Sequence, residues 1–164
     1  MSELTSAAAP PPGAGDHIRG SGPEATVYLD LACPACAATW GRIRRLGLRL
    51  CVRHFPLAAK RPRSPALHAA AEAASRQRED AFWEMVDSIY GDHGRLDDPH
   101  LWDRARALGL DLDRFESDRR SEAVAERVRA DFRGGVRAGV VATPTAFVGS
   151  EPIADRIVER LAAL

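Results

Sequence analysis

The residues best suited to chemistry are Cys33 and Cys36, in the run Cys33 Pro34 Ala35 Cys36. At the start of a helix, one turn brings such a pair side by side, so the sulfurs can bond and separate without rearranging the rest of the chain. If Cys33 stands at the helix N-terminus, unpaired backbone N–H groups and the positive end of the dipole favour its thiolate, each unit of pKa depression being worth about 1.4 kcal/mol. Cys36, one turn further in, is the more shielded and less acidic thiol. The asymmetry makes Cys33 the attacking sulfur and Cys36 the one that resolves a mixed disulfide. Half of a zinc site and a pair of inert helix cysteines are the competing readings. An ordinary zinc site needs four ligands, and the remaining candidates, Cys51 and His54, lie on an expected strand with side chains on opposite faces. No metal and no cofactor is expected.

Asp30, just before the pair, has two readings: a proton acceptor near Cys36, or a carboxylate that caps the strand end or the helix. Cys51, between Leu50 and Val52, reads as a small core residue. His17, His54, His68, His93 and His100 form no spaced cluster along the sequence and read as surface or structural residues.

The elements that must position the pair follow from the pattern. Ala25 to Leu31 reads as a short buried strand ending just before Cys33, and Pro34 suits a first helical turn. That helix carries Trp40, Ile43 and Leu46 and stops near Gly47, and a second strand runs from Leu48 to Phe55. Helical patterns fill the stretch from Ala66 to Gly139, with starts near Ala66, Asp80, Asp98, Asp111 and Ser121. Strand character returns from Val140 to Val148 around Thr143 and Pro144. Glu151 to Ala154 reads as an edge strand, and Asp155 as the cap of a final helix. Residues 1–23, rich in Ala, Pro, Gly and Ser, read as a flexible leader. The expected division is residues 24–63 with 140–164 as one α/β domain and 64–139 as an inserted helical domain.

The chain has 164 residues, 23 basic and 23 acidic, so no net field draws it to nucleic acid or anionic membrane. Positive charge is concentrated between Arg42 and Arg63, where eight basic side chains occur with no acidic one, and these arginines are candidates for lowering the Cys33 pKa. No apolar run is long enough to span a membrane, and the first twenty residues lack the pattern of a secretory signal. A cytoplasmic location and reversible redox use of the cysteines are therefore expected.

The runs YLDLACPACAATW, VRHFPL, AFWEMVDSIY and GVVATPTAFVG together resemble the DsbA-like thioredoxin-domain family, over residues 25 to 164. The resemblance implies an α/β thioredoxin fold with an α-helical insertion between the first βαβ unit and the strand that follows the cis-proline. It implies a DsbA-like protein-disulfide oxidoreductase, with Cys33, Cys36 and Asp30 as catalytic residues, Asp30 matching an acidic position common in soluble branches of the family, and with Thr143 and a cis Pro144 beside the cysteines as substrate-binding residues. It also implies protein or low-molecular-weight thiol and disulfide substrates and a redox partner. The Pro Ala dipeptide departs from the Pro His of the strongly oxidising members, and Val27 stands where many relatives carry a buried acid. Two alternatives remain: a thiol-cofactor-dependent isomerase or transferase, and a non-catalytic peptide-binding module.

Overall fold

A computed structural model describes residues 8–164. Strand β1 (His17–Arg19) is followed by β2 (Glu24–Leu29), helix α1 (Pro34–Ile43) and β3 (Arg49–His54). Five helices come next: α2 (Ser64–Ser75), α3 (Asp80–Gly91), α4 (Asp98–Ala107), α5 (Leu112–Arg119) and α6 (Glu122–Arg137). Strands β4 (Thr145–Val148) and β5 (Glu151–Ile153) and helix α7 (Ile157–Ala162) complete the chain. The sheet order is β1-β3-β2-β4-β5, with β2 parallel to β3 and the other neighbours antiparallel. A parallel pair needs a crossover, and α1 supplies it. The five helices thus stand between β3 and β4, as the resemblance implies.

The period-two alternation of strands divides the core. Ala25, Val27 and Leu29 of β2, Leu50 and Val52 of β3 and Ala146 of β4 face one side, where they pack with Trp40 and Ile43 of α1 and Leu67, Phe82 and Ile89 of the inserted helices. Tyr28, Phe147 and, just past β3, Phe55 belong to a second cluster with Ala138 and Val140. Helix α6 lies against β3, and α2 packs on α3, α5 and α6.

Three expectations need correction. Residues 1–7 lie outside the described part of the chain, but the rest of the expected leader is built in: His17–Arg19 pair with Leu50–Val52 as an edge strand. The cause is Arg53, a buried cation that needs acceptors. Its guanidinium makes paired bonds of 3.0 and 2.9 Å to Asp16 and others to the carbonyls of Pro10 and Pro11, which tie this segment down. Strand β4 begins only at Thr145, and Val141 is 83% exposed. Finally, α7 is preceded by Arg156 in the left-handed region (φ 47°), while Asp155 pairs with Arg160 at 3.0 Å instead of capping the helix.

Helix α6 passes Phe55 and Tyr28 at Gly135, where an added Cβ would lie 2.8 Å from the Phe55 ring and 2.9 Å from Tyr28. Gly135→Ala should therefore destabilise the protein by about 1–3 kcal/mol through overpacking, although alanine is the better helix former by about 1 kcal/mol. Urea unfolding measures the change, and a more stable variant would show that α6 can retreat from the sheet.

Candidate active site

Strand β2 delivers the chain into a four-residue turn, Asp30–Cys33, closed by Cys33 N–H donating to the Asp30 carbonyl at 3.0 Å. Asp30 Oδ1 accepts from Ala32 N–H at 3.0 Å, the local side-chain bond that suits aspartate to a turn start. Cys33 is the extended N-cap of α1 (φ −82°, ψ 122°), and Pro34 occupies the first turn, where its missing N–H costs nothing. The turn is buried, so its remaining polar groups need partners from elsewhere. The inserted helices provide them. Leu31 N–H donates to His68 Nε2 at 3.0 Å, Tyr90 O–H donates to the Asp30 carbonyl at 2.9 Å, and His93 Nε2 donates to the Leu31 carbonyl at 2.9 Å.

Cys33, Cys36 and Cys51 are free thiols. Cys33 and Cys36 are both buried, at 1% and 0% exposure, so their partners distinguish them more than their access does. The Cys36 thiol, hydrogen-bonded to Cys33, is the strongest influence on Cys33; burial opposes it, and the Thr143 side chain, the Cys36 backbone N–H and Arg61 add to it, lowering the Cys33 pKa to about 5. At neutral pH thiolate exceeds thiol by roughly a hundred to one. Burial pushes the Cys36 thiol well above its ordinary value, and the charge of Cys33 adds to that. Cys51 is pushed up to about 12, mainly by burial.

The loop before β4 reaches the same place. Cys33 Sγ, when protonated, donates to the Thr143 carbonyl at 3.6 Å, and the Thr143–Pro144 peptide is cis. Thr143 Oγ1 is buried without a hydrogen-bond partner, which leaves it free to donate to a thiolate. The structure therefore brings Cys33, Cys36 and Thr143 together across more than a hundred residues of sequence. Of the arginines between Arg42 and Arg63, Arg61 is one that helps to lower the Cys33 pKa.

Asp30 is placed differently from the proton-acceptor reading. Its carboxylate accepts from Leu57 N–H and Arg61 at 3.2 Å each, from Ala32, and from the Ser64 hydroxyl, with His68 Nε2 3.5 Å away. None of these partners is a cysteine. Burial raises its pKa, but the hydrogen bonds donated by Ser64 and Ala32 oppose that, and the carboxyl is held well below the ordinary carboxylate range, which makes it a poor base. It caps the turn.

Histidines that are scattered along the sequence converge in space. His68 Nδ1 is 2.8 Å from His54 Nδ1, and His54 Nε2 and His17 Nε2 lie 2.9 and 2.7 Å from Glu72 Oε2. The one sequence signal was His68 and Glu72, four residues apart on an otherwise Ala-rich helix, which puts both on one face. His54 reaches them because it shares a sheet face with Leu50 and Val52, away from Cys51.

A family description, the DSBA-like thioredoxin domain, matches residues 25–159. Among curated proteins, the chain is 40% identical over 144 residues to the Na(+)/H(+) antiporter NhaA of Herminiimonas arsenicoxydans, covering 81% of this chain and 22% of the antiporter. The chain thus spans about a fifth of the length of the curated relatives it matches. Among solved structures, the thiol-disulfide exchange protein alpha-DsbA2 of Wolbachia pipientis superposes with a TM-score of 0.73 at 18% identity, covering 90% of this chain and 81% of that one. DsbA2 of Pseudomonas aeruginosa superposes with a TM-score of 0.71 at 22% identity, covering 93% and 95%. These likenesses show a thioredoxin-like fold. Among the described residues no helix is long and apolar enough to cross a membrane.

The buried acids and His68 make one prediction about pH. Asp30 and Glu72 are both held low, so what they contribute is present above the ordinary carboxylate pKa and lost as pH falls. Burial lowers His68 to about 4, so below about 6.5 the unfolded chain takes up a proton that the folded one refuses. All three effects have the same sign. Unfolding free energy should drop between pH 7 and pH 4, with about 3 kcal/mol from His68. Urea titrations at the two values measure it, and His68→Leu should flatten the fall; equal stability at both pH values would contradict the assignment.

Proposed function

The chain belongs to the DSBA-like thioredoxin-domain family, and from that membership we propose that it is a thiol-disulfide oxidoreductase exchanging disulfides through Cys33 and Cys36. The observation that carries this reading is the placement of the two thiols, Cys33 at the N-cap of α1 with its Sγ 3.6 Å from the Thr143 carbonyl and Cys36 one turn further in, an arrangement that lowers the Cys33 pKa to about 5 and raises that of Cys36. A dithiol so arranged has one sulfur ready to attack and a second held in reserve.

In the reducing direction, the Cys33 thiolate attacks one sulfur of a substrate disulfide. The substrate S–S bond breaks, one substrate sulfur leaves as thiolate, and the other stays bonded to Cys33. Forming the mixed disulfide removes the Cys33 charge, one of the causes that raise the Cys36 pKa. Cys36 then gives up its proton, which the departing substrate sulfur takes, and attacks Cys33 Sγ, breaking the mixed disulfide and releasing the second substrate sulfur as thiolate. The products are a Cys33–Cys36 disulfide and a reduced substrate, two electrons having moved from protein to substrate. The oxidising direction is the reverse.

Thr143, whose carbonyl meets Cys33 Sγ, and the adjoining Pro144 would form the edge on which an extended substrate backbone lies. Asp30 holds the turn and takes no proton. Substrates are proteins or low-molecular-weight disulfides, and a separate redox partner resets the pair. A reducing compartment such as the cytoplasm would keep the pair as dithiol and favour substrate reduction. The antiport named in the relatives is not assigned to this chain.

Reduction of insulin disulfides with a dithiol donor tests the proposal. Cys33→Ser should fall to background, and Cys36→Ala should stall as a trapped mixed disulfide on Cys33. Unchanged activity in Cys33→Ser would overturn the proposal. Full activity in Cys36→Ala would favour the thiol-cofactor-dependent transferase, and peptide binding without any exchange a binding module.

A further inference from the structure

The exchange steps make no use of the buried histidines, yet the hydrogens of these rings can be placed one by one. Leu31 N–H can only donate, and it meets His68 Nε2 at 3.0 Å, so that nitrogen carries no proton. Asp30 Oδ1, at 3.5 Å from the same nitrogen, is too distant to compete. The neutral His68 ring therefore bears its hydrogen on Nδ1 and donates to His54 Nδ1 at 2.8 Å. His54 in turn bears its hydrogen on Nε2 and donates to Glu72 Oε2 at 2.9 Å. The ionised Glu72 can only accept, so His54 Nε2 and His17 Nε2, the latter at 2.7 Å, must both donate to it. A backbone donor and a carboxylate acceptor thus close a relay that runs in one direction.

His17, His54 and Glu72 also place three donor atoms within 4.8 Å of one another, a spacing suited to a cation. In these tautomers, however, both Nε2 atoms hold hydrogens aimed at Glu72. A metal on His54 would have to reverse the relay and remove the acceptor from Leu31.

We propose that Glu72 and His68 are positioning residues for Cys33: the Glu72 charge polarises His54 and His68 in series, and His68 Nε2 thereby holds the Leu31 amide and the turn that presents Cys33 to the Cys36 N–H and Thr143. Hydrogen bonds in such a chain strengthen one another by roughly 10–30% each. The groups facing the relay are Asp30 at the end of β2, Asp131 and Arg127 on α6, and Tyr90 and His93 around the turn; Arg127 Nε lies 3.9 Å from Glu72 Oε1. The importance of this turn rests on Cys33 being the attacking thiol, but the relay's effect on that thiol can be read without any exchange assay.

The test is the ultraviolet thiolate titration of the reduced full chain. Glu72→Gln, three hydrogen bonds away from the turn, and His68→Leu should each raise the Cys33 midpoint by about one unit, a tenfold loss of thiolate at a fixed pH below it. His68→Gln, whose amide oxygen can accept from Leu31, should restore part of the shift. A folded Glu72→Gln variant with the wild-type midpoint would make the relay merely structural and overturn the proposal. Should the variants not fold, nitrogen NMR of the wild-type histidines decides: His68 protonated on Nδ1 and His54 on Nε2 supports the relay, and the reverse tautomers refute it. Loss of insulin reduction in wild type alone would sink the exchange reading without touching this one.

Discussion

The hydrogen bond from the Leu31 amide to His68 Nε2 is the contact on which the geometry of the site depends. The turn from Asp30 to Cys33 satisfies itself only in part: the Cys33 amide finds the Asp30 carbonyl, and the Ala32 amide finds the Asp30 carboxylate. The Leu31 amide has no partner within the turn, and Leu31 is 2% exposed, so water cannot serve. An orphaned buried amide costs about 1–3 kcal/mol, enough to drive the turn into another shape. His68 prevents this, and Tyr90 and His93 hold the neighbouring carbonyls. All three come from the helical insertion, whose part in the site is therefore to hold the turn that carries Cys33.

The sheet links this turn to the rest of the molecule by its alternation. One face of β3 sends His54 toward α2 and the relay, while the other sends Arg53 toward Tyr28 and the N-terminal segment. Each face buries a polar group that must be fully paired, and in each case the pairing reaches distant chain. His17 joins the two systems, because it belongs to the edge strand that Asp16 and Arg53 help anchor and also donates to Glu72. The order of the N-terminal segment and the order of the relay are thus coupled through β1.

What could be read from the sequence was what local chemistry dictates. The cysteine spacing, Pro34 at a helix start, the two strands around α1 and the helical run before Thr143 all follow from periodicity and capping rules that need no tertiary knowledge. The histidine relay was hidden because His17, His54 and His68 lie on three different elements, and sequence spacing cannot show which strand faces come together. Asp30 was ambiguous for a related reason. An acid near a cysteine pair can serve as base or cap, and only the positions of Leu57, Ser64 and Arg61 decide for the cap. The edge strand was masked by composition, since a Gly- and Pro-rich stretch reads as loose until the buried cation that it wraps is known.

Family membership and the match to part of an antiporter are compatible, because a domain can recur inside longer proteins and keep its own site. The central claim concerns that site: two thiols one helical turn apart, only one of them acidic. Limited alkylation of the reduced chain near pH 6, followed by peptide mapping, tests it most directly. Label is expected on Cys33 alone, with Cys36 and Cys51 unmodified. Equal labelling of Cys33 and Cys36, or no labelling until pH approaches the ordinary thiol range, would contradict it.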